Sequence, residues 1–519
     1  MTNPATTSLW DATAHDAPSR VPGDLGGDRD VIVIGAGIVG VTLALELARR
    51  GRDVLVVEAR RVGSGVTGST TGKVTAAHGL RYDELRRTIG LERTRLYAEA
   101  NQRATEWVRA TVHDEAIDSD WRDRSAYTYT SDPARERQLE REAEATIAAG
   151  LPAELVRGVP GPTAVVAGVR VDGGGEMHAR NYVQALATLA ERAGATIAEG
   201  VRVTAVREAG GRVRTAEHGE LRAAHVVVAT HFPILDRGLY FARMEPQRSY
   251  AIAAGPVQEL PPGSWYDVGS PTRSIRTAAG PDGRDVLVVG GEGHPSGKES
   301  RTEERYARLA SWTTEHLGSA TVTHRWSSQD PRTPDRAPFV GPLRPGSGSL
   351  WTATGFDKWG LSGGTAAAHA LARRILGEED RYAALWSPSR PRQLLAPRAA
   401  LRLAQWNADV PLHLVGDRLR PSGEEPSALR PGEGRIVRHR GKRTAAFRGV
   451  DGALHLHSPV CTHMSCELRF NDAEHSWDCP CHGSRFDAAD GTVLEGPAVQ
   501  PLARRPAGGQ VAGERAHGR

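Results

Sequence analysis

All four cysteines of this chain lie between Cys461 and Cys481, and two of them stand beside histidines. Cys461-Thr-His463 is followed, fifteen residues later, by Cys479-Pro-Cys-His482. Two thiolates and two imidazoles at this spacing can ligate the irons of a [2Fe–2S] cluster. Zinc is the alternative, because mixed Cys/His ligands with short spacers also suit a tetrahedral site. A zinc site uses Cys-x-x-Cys pairs more readily, and it gives the flanking Gly483 and Ser484 no role. With two neutral imidazoles on one iron, a cluster takes up an electron at roughly −150 to +300 mV. His463 and His482 would ligate that reducible iron, and their outer ring nitrogens could couple electron transfer to protonation. Hydrogen bonds to the sulfurs tune the potential, and the Ser484 hydroxyl can supply one.

A second chemistry is written near the other end. DVIVIGAGIVGVTLALELARRGRDVLVVE, residues 30–58, reads as an apolar strand, a glycine turn, a helix and a second strand ending in an acid. This is a dinucleotide-binding pattern. Gly35 permits the tight turn, Gly37 lets the backbone approach a pyrophosphate, and Gly40 lets helix and strand pack closely. Glu58 is placed to bind ribose hydroxyls. Three unrelated loop glycines are the bland reading, and the flanking strand, helix and acid argue against it.

CTHMSC at 461–466 and CPCHGS at 479–484 resemble the two ligand boxes of Rieske proteins. The resemblance implies a disulfide between Cys466 and Cys481, a bond unusual in a reducing cytosol. It also implies a proline loop over the cluster at GPA, 496–498. High-potential relatives carry a tyrosine where Phe486 stands, so a lower potential is expected here. GSGVTGSTTGKVTAAHG at 63–79, VVVAT at 226–230, QDPRTPDRAPFVGP at 329–342 and TGFDKWGLSGG at 354–364 resemble, in order, flavin-contacting segments of the D-amino acid oxidase, glycine oxidase and sarcosine oxidase family. That resemblance covers roughly residues 30–385 and implies FAD, with Ser69, Thr70, Thr71, Gly355, Gly360, Leu361, Ser362 and Gly363 among its contacts. A helix N-terminus in the last segment would stabilise negative charge on the reduced flavin. The pairing of the two domains resembles a bacterial group of fused FAD-dependent oxidoreductases.

The chain departs from that family at its substrate anchors. Asp330 stands where amino-acid oxidases carry a carboxylate-binding arginine, and an aspartate cannot make that bidentate bond. Ser362 occupies the position of a carboxylate-binding lysine, and DVLVVGG at 285–291 lacks the lysine that activates oxygen in sarcosine oxidases. With no cysteine in the flavin domain and Gly72 in place of the linking histidine, a covalent flavin is not indicated. Tyr250, Arg276, His294, Asp330 and Lys358 fall in segments that could line the pocket, and core or surface roles are open for each. The leading expectation is oxidation of a small amine or hydroxyl-bearing substrate at flavin, with electrons relayed through the cluster to an external carrier. Reverse flow from an external reductant, and a non-catalytic redox sensor or carrier, are the alternatives. A Rieske oxygenase would need a further mononuclear iron, for which His225 and His231 are poor candidates.

The supporting elements follow from length and pattern. With 519 residues, two or three domains are expected. The fold class expected is α/β plus all-β: a Rossmann-like FAD-binding domain interleaved with a mixed α+β substrate domain, then a small antiparallel β domain. FAD segments are expected at 30–80, 160–230 and 343–385, and substrate segments at 81–159 and 231–342. A linker with a helix spans 386–427, the Rieske domain 428–506, and disordered tails 1–29 and 507–519. The net charge of +4 does not indicate a nucleic-acid partner. No stretch is long and apolar enough to span a membrane, and residues 1–29 lack a signal-peptide core, so a cytoplasmic protein is expected. The oligomeric state is not legible.

Overall fold

The computed structural model describes residues 7–255, 260–318, 321–408, 410 and 425–506. Its contacts divide the chain into two units, Met1–Pro295 with Glu304–Asn407, and Ser296–Glu303 with Ala408–Arg519.

The first unit contains a largely parallel sheet. Its strands run in the order Phe339–Pro342, Leu350–Thr354, Glu220–Val228, Asp28–Ile34, Val54–Glu58 and Thr196–Glu199. Val31 and Val33 enter one apolar cluster while Ile32 and Ile34 enter another. The central strand is therefore buried on both faces, which explains its unbroken apolar run. Helix Ile38–Ala48 follows the glycine turn and packs against helix Gly360–Ile375. A Cβ at Gly364 would lie 3.1 Å from Ile38 and Val39 side chains, so a larger residue would push these helices apart.

A second, mixed sheet of nine strands makes the other half of this unit. Strands Thr321–Arg332, Glu245–Gly255, Asp285–Pro295 and Arg273–Ala279 are antiparallel neighbours, and Ser264–Asp267 then pairs in parallel with Arg122–Thr130. Ala167–Glu176 and Lys73–Val74 complete its far edge. The expected segment boundaries shift accordingly. Ala167–Glu176 and Lys73–Val74 belong to the mixed sheet, because their backbone pairs there, whereas Phe339–Pro342 joins the parallel sheet.

The expected disordered tail over 1–29 is corrected from Thr7 onward. Leu9 and Trp10 are buried in a short helix, Leu9–Ala12, and Trp10 Nε1 donates to the Thr70 carbonyl at 2.6 Å. Arg20 donates to Glu191 and Gln184, both at 2.9 Å. Trp10 and Arg20, with the buried Leu9 and Leu25 and the Thr13–His178 and His15–Asn181 contacts, tie down a Pro- and Asp-rich segment. The start of the expected linker also joins the first unit, since the buried Arg390 grips Asp335 bidentately at 2.6 and 2.9 Å. Residues 1–6, 411–424 and the tail 507–519 lie outside the described residues.

The second unit holds two small antiparallel sheets, as expected. Gly434–His439, Lys442–Arg448 and Leu454–His457 form one, and Arg469–Asn471, Ser476–Asp478, Arg485–Asp487 and Val493–Glu495 the other. The two Cys/His boxes are loops attached to the second sheet.

Candidate functional site

Each Cys/His box is closed by its own backbone. Cys461 N–H donates to Cys466 O at 2.9 Å and Ser465 N–H to Cys461 O at 3.0 Å. In the second box, Cys479 N–H donates to Ser484 O at 2.8 Å and Gly483 N–H to Cys479 O at 3.0 Å. Both turns aim N–H groups at sulfur: His463 and Met464 at Cys461, His482 and Cys481 at Cys479. Donors aimed at a thiolate stabilise its negative charge. A disulfide joins Cys466 to Cys481 and ties the loops together, as the resemblance implied. Cys466 and Cys481 are thereby unavailable as thiolate ligands, although their sulfurs lie within 4.8 Å of Cys479 Sγ.

That leaves Cys461 and Cys479, free and buried, together with two histidine rings 5.2 Å apart at 86°. The cysteine sulfurs share a hydrogen bond that pushes Cys461 down to about 7 and, with burial, pushes Cys479 up. The Ser484 hydroxyl bonds to the Cys461 sulfur and accepts the Ala498 N–H at 3.1 Å. Two free, buried cysteine sulfurs, two adjacent imidazoles and aimed donors fit a [2Fe–2S] cluster held by Cys461, His463, Cys479 and His482. Phe486 is fully buried in the same apolar cluster as the ligand cysteines.

The dinucleotide pattern forms the expected cradle. Gly35 has φ +106° and a Cβ there would stand 2.6 Å from Ala229 O, while one at Gly40 would stand 1.9 Å from Gly35 O. Only glycine fits either place. Glu58, at the end of its strand, accepts N–H groups from Ala36 at 2.9 Å and Arg60 at 2.8 Å. The loop carrying Ser69, Thr70 and Thr71 is held by its carbonyls. Trp326 Nε1 donates to Ser69 O at 3.0 Å, Trp10 to Thr70 O, and Arg276 to Thr71 O at 3.1 Å and Gly72 O at 2.8 Å. Gly360, Leu361, Ser362 and Gly363 open helix Gly360–Ile375, and a Cβ at Gly360 would meet nothing within 4 Å. Gly355 takes φ +83°, against Thr333. These residues would hold a dinucleotide, and the open helix N-terminus at Gly360 would favour negative charge beside it.

The pocket candidates separate. In strand Glu245–Gly255 adjacent residues face opposite ways. Trp326, paired with Ala251, reaches the Ser69 carbonyl, so the Ala251 face is the flavin-loop face. Tyr250 points to the other face, where it meets Tyr306 and lies 2.9 Å from His294 Nε2. His294 Nδ1 faces the Pro295 carbonyl at 2.9 Å. Tyr250 and His294 are thus corrected from pocket residues to a buried pair behind the sheet. Arg276 faces the right way, but its Nη1 goes to loop carbonyls, its Nε lies 3.7 Å from the buried Glu176 carboxylate, and it stacks over Trp10 at 5.4 Å, which makes it a positioning residue.

Asp330 and Lys358 do come together. The Asp330 carboxyl accepts the Lys358 N–H, and burial raises its pKa against the pull of His231 and Lys358. Its role is to hold a turn in which Asp357 and Lys358 have φ +48° and +76°. Burial also favours the neutral form of Asp357, but Arg81 at 2.8 Å and Arg336 at 2.7 Å outweigh it and hold the acid at about 2. Lys358 Nζ lies on the flavin-loop face, 3.8 Å from where a Gly293 Cβ would be. Ser362 is 3.1 Å from His78 Nε2, and burial pushes that histidine down to about 3.

The residue that sequence reasoning missed is Lys73. Its Nζ donates to Trp265 O at 3.2 Å and contacts the Ser274 hydroxyl. Burial lowers it to about 7, with Glu176 opposing and Arg276 and Lys358 reinforcing. Neither Lys73 nor Lys358 is paired with a carboxylate among the described residues. A lone lysine in a Gly/Thr-rich loop was the available signal. Among the described residues no helix is long and apolar enough to cross a membrane.

Comparison with known proteins agrees with both sites. Residues 30–374 match the family model "FAD dependent oxidoreductase", and residues 424–506 match "Rieske [2Fe-2S] domain". The chain is 35% identical over 500 residues to "Putative Rieske 2Fe-2S iron-sulfur protein YhfW" of Bacillus subtilis (strain 168), covering 96% of this chain and 97% of that one. In fold it is similar to glycine oxidase from Geobacillus kaustophilus, at TM-score 0.59 and 18% identity over 70% of this chain and 99% of that one. It is likewise similar to L-proline dehydrogenase from P. horikoshii, at TM-score 0.60 and 20% identity over 70% and 98%. The match over residues 30–374 makes this protein a member of the FAD-dependent oxidoreductase family, with FAD there and a [2Fe–2S] cluster in a C-terminal Rieske domain.

Proposed function

We propose that the protein is a dehydrogenase-type flavoenzyme that oxidises a C–N or C–O bond of a small amine or hydroxyl-bearing substrate and passes the electrons through its Rieske domain to an external carrier. FAD supplies a two-electron acceptor and the cluster a one-electron station. The observation that carries the reading is Lys73, whose buried Nζ reaches the Trp265 carbonyl at 3.2 Å and the Ser274 hydroxyl on the flavin-loop face, and which burial lowers to about 7. Near neutral pH a good fraction of its Nζ is unprotonated and can take a proton from a substrate ammonium or hydroxyl, as a general base poised near its working pH does. Lys358 adds positive charge on the same face, and the turn fixed by Asp330 orients it. Arg276, Trp10 and Trp326 keep the flavin loop in place and take no proton. The similarity in fold to proteins named for glycine and L-proline, both amines, supports a C–N substrate.

An anaerobic panel of amines, amino acids and hydroxy compounds tests the proposal. A substrate should bleach the flavin and then bring up the EPR signal of the reduced cluster. A Cys479→Ser protein that still reduced its external acceptor at the normal rate would sink the relay.

A further inference from the structure

Residues Ser296–Glu303, which follow strand Asp285–Pro295 in the chain, group by their contacts with the C-terminal unit. Gly297 stands against the second ligand loop. Its φ is +70°, and a Cβ there would lie 2.4 Å from Cys479 O and 2.6 Å from Pro480 N. That is roughly 1 Å short of a comfortable carbon–oxygen contact. The same Cys479 carbonyl accepts the Gly483 N–H that closes the turn around His482.

Polar contacts hold the segment in place. Thr302 Oγ1 lies 2.6 Å from both Asn471 Oδ1 and Asp472 Oδ1, and it accepts the Ala473 N–H at 3.1 Å. Asp472 Oδ1 also accepts the N–H groups of Thr302 at 2.8 Å and Glu303 at 3.1 Å, as an N-cap acid does for the first turn of a helix. Asn471 Nδ2 in turn donates to Asp478 Oδ2 at 3.1 Å, and Asp478 is the residue before Cys479. Arg469 reaches the Lys298 carbonyl at 3.3 Å. Thr302, Asn471 and Asp478 are all buried. A buried network of this kind holds its members in one arrangement.

We infer that Ser296–Glu303 is a brace for the cluster-binding loop, in which Gly297 and Thr302 are positioning residues that fix the backbone of Cys479 and thereby the ligand geometry of Cys479 and His482. A loop from outside the 424–506 Rieske match is, on this view, a working part of the Rieske site. Neither residue touches the cluster; both act through the Cys479–Ser484 turn.

The test uses the full-length protein, reduced with dithionite. Gly297→Ala should load iron, leave the flavin spectrum unchanged, and change the g-anisotropy of the EPR signal together with the midpoint potential. Iron content, EPR spectrum and potential all matching the unaltered protein would overturn the inference. If Gly297→Ala fails to retain iron, Thr302→Val decides the matter, because it removes the hydroxyl without intruding on the loop. A changed spectrum or potential in Thr302→Val supports the brace, and an unchanged pair overturns it.

Discussion

Replacing Ser484 with alanine isolates one lever on the cluster. Ser484 is fully buried, its oxygen accepts the Ala498 N–H, and its single hydrogen goes to the Cys461 sulfur. A hydrogen bond to a charged acceptor contributes about 1.5–3 kcal/mol. The sulfurs carry more negative charge after reduction, so only the part of that energy which differs between the two states moves the potential. If the difference is about 1 kcal/mol, the potential falls by roughly 40 mV, since 59 mV corresponds to about 1.4 kcal/mol for one electron. The Ala498 N–H also loses its acceptor, which costs about 1–3 kcal/mol of stability. Potentiometric titration followed by EPR reads the first effect, and thermal unfolding the second. Ser484→Thr keeps the hydroxyl and should restore most of the potential. An unchanged potential in Ser484→Ala, with iron fully retained, would refute the role given to this hydroxyl.

Three further variants have defined outcomes. Phe486→Tyr brings a hydroxyl into the apolar cluster shared with Cys461 and Cys479 and should raise the midpoint potential by some tens of millivolts, on the same conversion; a redox titration showing no rise would contradict this. Lys73→Met should remove the limb of the pH–rate profile that climbs through about pH 7, and a profile that keeps this limb would rule Lys73 out as the proton acceptor. Because Lys73 is lowered from 10.5 to about 7, the unfolded chain binds the extra proton between those values, and folding gains stability as pH rises. The melting-temperature advantage of Lys73→Met over the unaltered protein should therefore be greatest below pH 7 and shrink toward pH 10.5. Arg276→Met frees the Thr71 and Gly72 carbonyls and should weaken FAD retention severalfold in equilibrium dialysis, with cluster content unchanged.

Both cofactor sites were legible because their chemistry is local. A cluster box is six residues of fixed spacing, and the Gly35, Gly37 and Gly40 turn is set by close backbone approach within one strand–turn–helix unit. The substrate side was less legible because it depends on sheet facing. Tyr250 and Ala251 are neighbours in sequence, yet only the Ala251 face meets the flavin loop, and nothing local distinguishes them. Arg276 looked like a pocket arginine, but its partners are the Glu176 carboxylate and carbonyls about 100 and 205 positions away in sequence. Lys73 escaped notice because its depressed pKa comes from tertiary burial beside Arg276 and Lys358. The ordering of residues 7–29 comes from tertiary contacts of single side chains such as Trp10 and Arg20, in a segment whose composition reads as disordered. Arg390 belongs to the first unit for a similar reason, since its partner Asp335 lies 55 residues away.

Under the proposed function, substrate electrons enter at the flavin and leave through the Rieske domain. Anaerobic stopped-flow mixing with a substrate from the panel, with rapid-freeze EPR of the same reaction, follows both steps at once. Flavin bleaching should come first, followed by a reduced-cluster signal that grows at the expense of reduced flavin, and Cys479→Ser should lose that second phase. A cluster that stays oxidised while the flavin turns over with an external acceptor at the full rate would contradict it.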